Sequence, residues 1–265
     1  MKKVMTAKDI LWAIGAPIIS VIVLIAVWEL ADLYFDLTIF PPPSKFISYL
    51  VDEGFSIGFG AAKTTILSAT LASFYRVLCG LSISFALALI VGMLISSNKI
   101  TSNFLLPLVQ IGAPIAPIAW IPFAILLFGI GDSTAVFIVF MGTIFVLTLA
   151  TVASVKSINP NLIRVASTLG ASGWNKWRHV IFPAVLPSVF TLLRVNFIAA
   201  WMAVLAAEMV GLRDGLGAII MLGREMFNPN LILVGMTLIG FSGYLLDSLL
   251  LFIQRKFLWW NAQVH

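Results

Sequence analysis

Between Lys99 and Asp132 the chain carries no ionisable side chain, yet the same stretch holds Pro107, Pro114, Pro117 and Pro122. Few folds accept such a run. It is longer than the roughly 20 apolar residues that one straight helix needs to cross a bilayer. A proline inside a helix removes a backbone hydrogen bond and clashes with the preceding turn. The sequence therefore predicts an apolar helix that is broken or kinked within the membrane. Backbone groups freed at that depth are tolerated only where protein or a watery cavity meets them. Pro114, Pro117 and Trp120 are candidates for lining a translocation path, the plainer alternative being a bent structural helix satisfied by its neighbours.

Composition supports a polytopic membrane protein. Of 265 residues, 61% are hydrophobic and 10% charged, and the mean hydropathy is +1.08. Such a chain has too little polar surface to coat a water-facing globule. Long apolar runs satisfy their backbone in lipid only as helices or closed barrels, and the ten-residue alternation of a barrel is missing. The single cysteine, Cys79, excludes a disulfide framework, and two histidines, His179 and His265, do not make a metal-ligand set. No metal is expected.

Six transmembrane helices are read along the chain. The first, about Ile10–Asp32, follows a basic start, kinks at Pro17, and is too long to be a cleaved signal. Phe40 to Ser44 should be extended through its prolines. Lys45–Tyr75 reads as an amphipathic stretch at the outer face, with Arg76 an interfacial anchor at the end of the second helix, Val77–Asn98. The broken run Ile100–Gly131 is the third and Ser133–Val155 the fourth. The fifth is expected from near Ser188 to Val210 with a small-residue face of Ala199, Ala200, Ala203, Ala206 and Ala207. The sixth is about Leu231–Gln254. Lysines and arginines at the termini and in the loops holding Lys99, Lys156, Arg164, Lys176 and Arg178 face only one acid, Asp9, whereas the opposite loops are balanced. Both termini are thus expected in the cytoplasm. Residues 1–63 form a first helix and outer linker, and residues 64–260 a transmembrane core.

Charges inside the helices are costly unless paired. Arg194, Trp201 and Glu208 are seven residues apart and drift only about 40° on a straight helix, so they share a face. Arg194 and Asp247 lie at similar depth and are expected to form a structural charge pair. Glu208 and Trp201 are candidates for the translocation path, against the plainer readings of an acid paired with Arg213 or Arg224 and of a packing tryptophan.

The longest basic interruption is Asn161–Pro187, within a loop of residues 160–187. Leu162, Val165, Ala166 and Leu169 recur at helical spacing before Gly170 breaks the run. Two short helices with a turn between them are expected, outside the bilayer, shaped to dock on a soluble partner.

Ala166, Leu169-Gly170-Ala171, Trp177, Pro183 and Pro187 resemble the EAA loop of binding-protein-dependent ABC-transporter permeases. Arg164 stands where that pattern has Glu, and Val165 where it has Ala. Further pieces from Ile66 onward are similar to the nitrate/sulfonate/taurine/bicarbonate branch: Ser73-Phe-Tyr-Arg76, Ala116 to Pro122, Phe128 to Gly131, Ala200-Trp201, Ala206 to Met209, and Gly215-Leu-Gly217. The resemblance implies an all-α type I importer core, two cytoplasmic ATPases, a second permease copy in a homodimer, and a periplasmic or lipid-anchored substrate-binding protein. It assigns ATPase coupling to Arg164, Val165, Ala166, Leu169, Gly170, Ala171, Trp174 and Trp177. No G-x-x-x-x-G-K-[ST] loop is present. ATP and magnesium are therefore expected on the partner, with no cofactor and no enzyme activity in this chain. A nitrate-, bicarbonate-, sulfonate- or taurine-like anion is the favoured solute, with a thiamine-precursor pyrimidine or an aromatic acid as alternatives. An ATPase-independent channel or secondary carrier is the competing class; an intramembrane protease lacks its serine or His-Glu-x-x-His signature.

Overall fold

The computed structural model describes residues 7–35, 40–52, 56–57, 64–171, 173–212 and 214–257. The helices are α1 Ala7–Phe35, α2 Pro43–Asp52, α3 Ile66–Ser97, α4 Lys99–Gly112, α5 Ile121–Phe128, α6 Asp132–Lys156, α7 Pro160–Thr168, α8 Gly173–Lys176, α9 Phe182–Met209, α10 Leu216–Glu225 and α11 Pro229–Phe257. A two-residue antiparallel ladder pairs β1, Ser56–Ile57, with β2, Thr64–Thr65. Among the described residues four helical stretches are long and apolar enough to cross a membrane: Ile66–Ser97, Asp132–Lys156, Gly173–Met209 and Pro229–Lys256. A fifth is added if the pair Lys99–Gly112 and Pro117–Phe128, bent by 94°, is one broken span.

The bend falls where the prolines put it. Pro107 is inside α4, while Pro117 opens a 3₁₀ turn, Pro117–Trp120, that leads directly into α5. A proline costs least in the first turn of a helix, where its missing N–H has no intrahelical acceptor.

Two compact units divide the chain, residues 1–65 with 219–237, and residues 66–218 with 238–265. In the first, α1 and α2 are fastened by polar and aromatic contacts. Ser44 donates from its backbone N and its Oγ to the Glu29 carboxylate at 2.8 and 3.1 Å, and Lys45 Nζ meets Asp32 at 2.8 Å. Trp28 stacks on Phe40 with centroids 4.6 Å apart. The prolines are extended only to Pro42, since Pro43 occupies the start of α2. The side chain of Pro17 lies outside the described residues. From Ile19 to Val27 most large apolar side chains of α1 are exposed.

In the second unit α3 packs along α6, and α6 along α9. The α3–α6 seam is narrow: a Cβ at Gly80 would sit 2.6 Å from Val139, and one at Gly92 2.6 Å from Thr151. Such small residues let backbones approach closely enough for dispersion and hydroxyl bonds to hold helices together in lipid. Thr143 Oγ1 donates to Ser84 Oγ across this seam at 2.7 Å. Of the alanine face expected on α9, Ala200, Ala203 and Ala207 are buried, while Ala199 and Ala206 are not.

Two boundaries differ from expectation. The second apolar helix begins at Ile66 rather than Val77, and Arg76 lies within it, held by carboxylates. The fifth is continuous from Gly173 to Met209, so the second short helix of the loop is not separate. A π-helical turn over Trp177–Ile181 joins α8 to α9 just before Pro183.

Candidate functional site

Three places in the second unit carry polar chemistry on an apolar frame. The first is a node around Arg76, whose side chain is 1% exposed. Its Nη1 donates to Glu208 Oε1 at 2.8 Å, its Nε to Asp132 Oδ1 at 2.6 Å, and its Nη2 to Asp214 Oδ1 at 2.5 Å. Glu208 is fully enclosed. It also accepts from Ser73 Oγ at 2.7 Å and from the Gly217 backbone N at 2.9 Å. Ser73 Oγ in turn accepts from the Leu216 N at 3.0 Å. One node therefore ties α3, the start of α6, the end of α9 and the 214–217 loop. Gly215, at φ +103, makes room for it; a Cβ there would fall on the Glu208 carboxyl and 2.7 Å from Arg76 Nη1.

These contacts revise two sequence readings. Arg76 is itself buried against Glu208, while its other two carboxylate partners, Asp132 and Asp214, are more than half exposed, so it joins a buried acid to a water-facing edge. The partner of Glu208 is Arg76 rather than Arg224, and Arg213 lies outside the described residues. With its oxygens committed and no exposed surface, Glu208 does not present a free carboxylate to a passing solute in this conformation. Three of the quoted motif pieces carry Ser73 and Arg76, Glu208, and Gly215 with Gly217, whereas Asp132 and Asp214 fall just outside them. What sequence order withholds is that they meet.

The second place is the elbow between α7 and α8. Asn159 caps α7, its side chain accepting from the Asn161 N at 2.9 Å. The helix ends on Gly170 at φ +80, with the Ala171 N reaching back to the Ala166 O at 2.9 Å, the six-to-one closure of a Schellman turn. Its apolar residues divide in two. Ala166 is buried, and Ile163 and Trp177 pack on Leu89, Ile158, Ile181 and Val185. Leu162, Val165, Leu169 and Trp174 point out, the last two 82% and 74% exposed. Arg164 and Gly170 are exposed, and Ala171 half-buried.

The third place lies between α9 and α11. Arg194 Nε and Nη2 donate to the two Asp247 oxygens at 2.8 and 2.7 Å, a bidentate pair, each side chain about one-third exposed. Trp201, seven residues along, is enclosed by Phe74 and Phe197 at centroid distances of 5.9 and 6.1 Å. Arg194 and Glu208, expected to share a face with it, belong to different clusters. In the bend, Pro114 is exposed, and Pro117 and Trp120 are half-buried. The Nε1 groups of Trp120 and Trp201 are both buried without an acceptor among the described residues.

Comparison with known proteins places this arrangement. Residues 84–258 match the family described as the binding-protein-dependent transport system inner membrane component. A putative ABC transporter permease of Methanocaldococcus jannaschii is 30% identical over 97% of this chain and 94% of its own length. The taurine transport permease TauC of Escherichia coli is 27% identical over 89% and 86%. The bicarbonate transport permease CmpB of Synechococcus elongatus is 33% identical over 70% and 67%. The fold is similar to that of the inward-facing MetNI methionine ABC transporter, TM-score 0.60 at 20% identity over 73% of this chain and 94% of that one.

The molecule is thus a membrane permease subunit of the ABC importers and not an enzyme. The chain belongs to the binding-protein-dependent transport system inner-membrane component family, in the branch whose relatives include taurine, bicarbonate and sulfonate permeases.

Proposed function

We propose that this chain crosses the bacterial inner membrane six times, termini in the cytoplasm, and pairs with a second copy to form the path of an ATP-driven importer. The solute is a small anion of the nitrate, bicarbonate, sulfonate or taurine kind, handed over by a periplasmic or lipid-anchored binding protein. ATP and magnesium act on cytoplasmic ATPase subunits, which drive the path through the loop of residues 160–187. α1, with its exposed apolar flank, and the bent α4–α5 pair complete the six crossings.

The observation that carries this reading is the elbow. Leu162, Val165, Leu169 and Trp174 are exposed on a segment whose only charges nearby are basic, Arg164, Lys176 and Arg178. An apolar patch on a short, capped helix that ends in a fixed turn suits seating in a groove of a soluble protein. Its other side is packed into the core, so motion of the seated helix reaches α9 directly.

The test is co-expression with candidate ABC ATPase subunits from the same genome, followed by purification through a tag on this chain. Co-purification, and ATP-dependent uptake of taurine, an alkanesulfonate, nitrate or bicarbonate by proteoliposomes given the cognate binding protein, are expected. Uptake that proceeds without the ATPase overturns the reading in favour of a channel or carrier.

A further inference from the structure

Several polar groups of α9 and α11 gather on one groove. Ser188, Thr191 and Arg194 recur every third residue along α9, and together with Asp247 and Gln254 of α11 they line a cleft of about 800 Å³. Gln254 Nε2 donates to Thr191 Oγ1 at 3.0 Å. The cleft shares Ile198 and Asp247 with a second, apolar one that continues past Gly240 and Gly243 to Trp201. Both helices are in spans. A strip holding a guanidinium and a carboxylate cannot rest against lipid without large cost, so it faces protein or water.

Two hydrogen-bond donors in this groove are under-used. Among the described residues Arg194 bonds only Asp247, through Nε and Nη2, leaving Nη1 open. Trp201 Nε1 is buried with no acceptor and stands over Gly243, 3.0 Å from where a Cβ would be. A buried donor without a partner costs free energy, and an acceptor arriving in the groove relieves it. Seven residues separate the two, about 10 Å along a helix. Asp247, the one carboxylate lining the cleft, is already held by Arg194.

The geometry points to the α9–α11 groove as an anion-binding stretch of the path, selective for small oxyanions. Arg194 supplies the charged donor, and the Trp201 N–H is a second station. Asp247 is a resident carboxylate that holds Arg194 while the groove is empty and competes with the solute for it. This is why the charge persists in the membrane at rest and why binding stays weak enough for release. The inference rests on the importer reading and adds to it the groups that recognise the solute.

The experiment uses the permease–ATPase complex in nanodiscs of phosphatidylcholine alone, which keeps anionic headgroups away. Sulfate, bicarbonate and taurine are titrated calorimetrically without binding protein, with choline as a cationic control. At least one oxyanion is expected to bind at millimolar concentration, and choline not at all. Asp247→Asn removes the competitor and should tighten binding several-fold, whereas Arg194→Gln should weaken it at least tenfold. Should Arg194→Gln fail to assemble, the double variant Arg194→Gln/Asp247→Asn keeps an amide hydrogen bond and should bind at least tenfold more weakly than Asp247→Asn. Trp201→Phe, which keeps the ring, should weaken binding two- to fivefold. If the assembled complex binds no oxyanion, or if loss of Asp247 leaves affinity unchanged or weakens it, the pair is structural and the inference is overturned. Failure of the ATPase to co-purify would instead count against the importer reading itself.

Discussion

Arg76 and Glu208, separated by 132 positions in sequence, meet at 2.8 Å in a place that exposes almost none of either side chain. A buried ion pair is expensive to desolvate, and it is retained only when hydrogen bonds satisfy its remaining groups. Here Ser73, Asp132, Asp214 and Gly217 do so. Breaking one side should be severe: Arg76→Met leaves Glu208 uncompensated and is expected to lower stability by about 3–5 kcal/mol. Glu208→Gln should cost less, since the amide still accepts and Arg76 keeps two aspartates. Thermal unfolding of the purified permease in detergent, with folded yield as a second measure, checks the order; equal losses would contradict it.

Gly170 and Gly215 share a positive φ, +80 and +103, but not their surroundings. A side chain at Gly170 meets open space, so Gly170→Ala should cost only the conformational term, about 1–2 kcal/mol. At Gly215 the new methyl lands on Glu208 and Arg76. Gly215→Ala should therefore destabilise more than Gly170→Ala, and the gap should shrink when Glu208 is also replaced by Ala. Unfolding midpoints of Gly170→Ala, Gly215→Ala, Glu208→Ala and the Gly215→Ala/Glu208→Ala double variant decide this, the last measured against Glu208→Ala.

The elbow predicts a different separation of effects. Trp174→Ala and Leu169→Ser remove exposed side chains and should leave the midpoint of unfolding unchanged within a degree or two. Both should reduce the ATPase recovered with the permease severalfold. Gly170→Val should abolish that recovery, because β-branched residues do not accept a left-handed turn, while Gly170→Asn should retain most of it. Quantitative co-purification with the thermal scan alongside separates docking from folding.

Arg194 and Asp247 lend themselves to a charge exchange. Either single reversal places like charges together in a span and should cut folded yield sharply. The double exchange, Arg194→Asp/Asp247→Arg, should recover most of the yield, measured by fluorescence-detected size exclusion. Absence of recovery would show that the two helices do not depend on this contact.

Much of the frame is legible in the sequence because lipid imposes few solutions. Charge-free runs mark the long helices, and Pro114 and Pro117 mark the 94° break, while Pro107 is carried inside α4. Similar depth on two helices is enough to bring Arg194 and Asp247 into consideration as partners. Arg76 is harder. Taken alone it looks like a boundary, since a lone arginine seeks water, and the helix is accordingly drawn eleven positions short. Only its remote acids, at 132, 208 and 214, make burial affordable, and nothing local announces them. The division of the elbow's apolar residues is hidden for a similar reason: helical spacing puts Val165 and Ala166 on one run but does not say which packs and which points out. Pro183 and Pro187 suggest an interruption, yet Pro183 falls in the first turn of α9 just after a π turn, and Pro187 is carried inside the same helix.

The uninterrupted helix from Gly173 to Met209 has its two ends in very different company. One carries the exposed Trp174; the other holds Glu208 fast in the Arg76 node. From Trp174 to Glu208 the distance is about 51 Å at 1.5 Å per residue. With the acid as fulcrum, a tilt of about 5° displaces the tryptophan by about 4 Å, and Arg194 by a proportionate fraction. On that geometry, loosening the node should uncouple the two ends of the rod, leaving a transporter whose motor turns over while its cargo stays where it was.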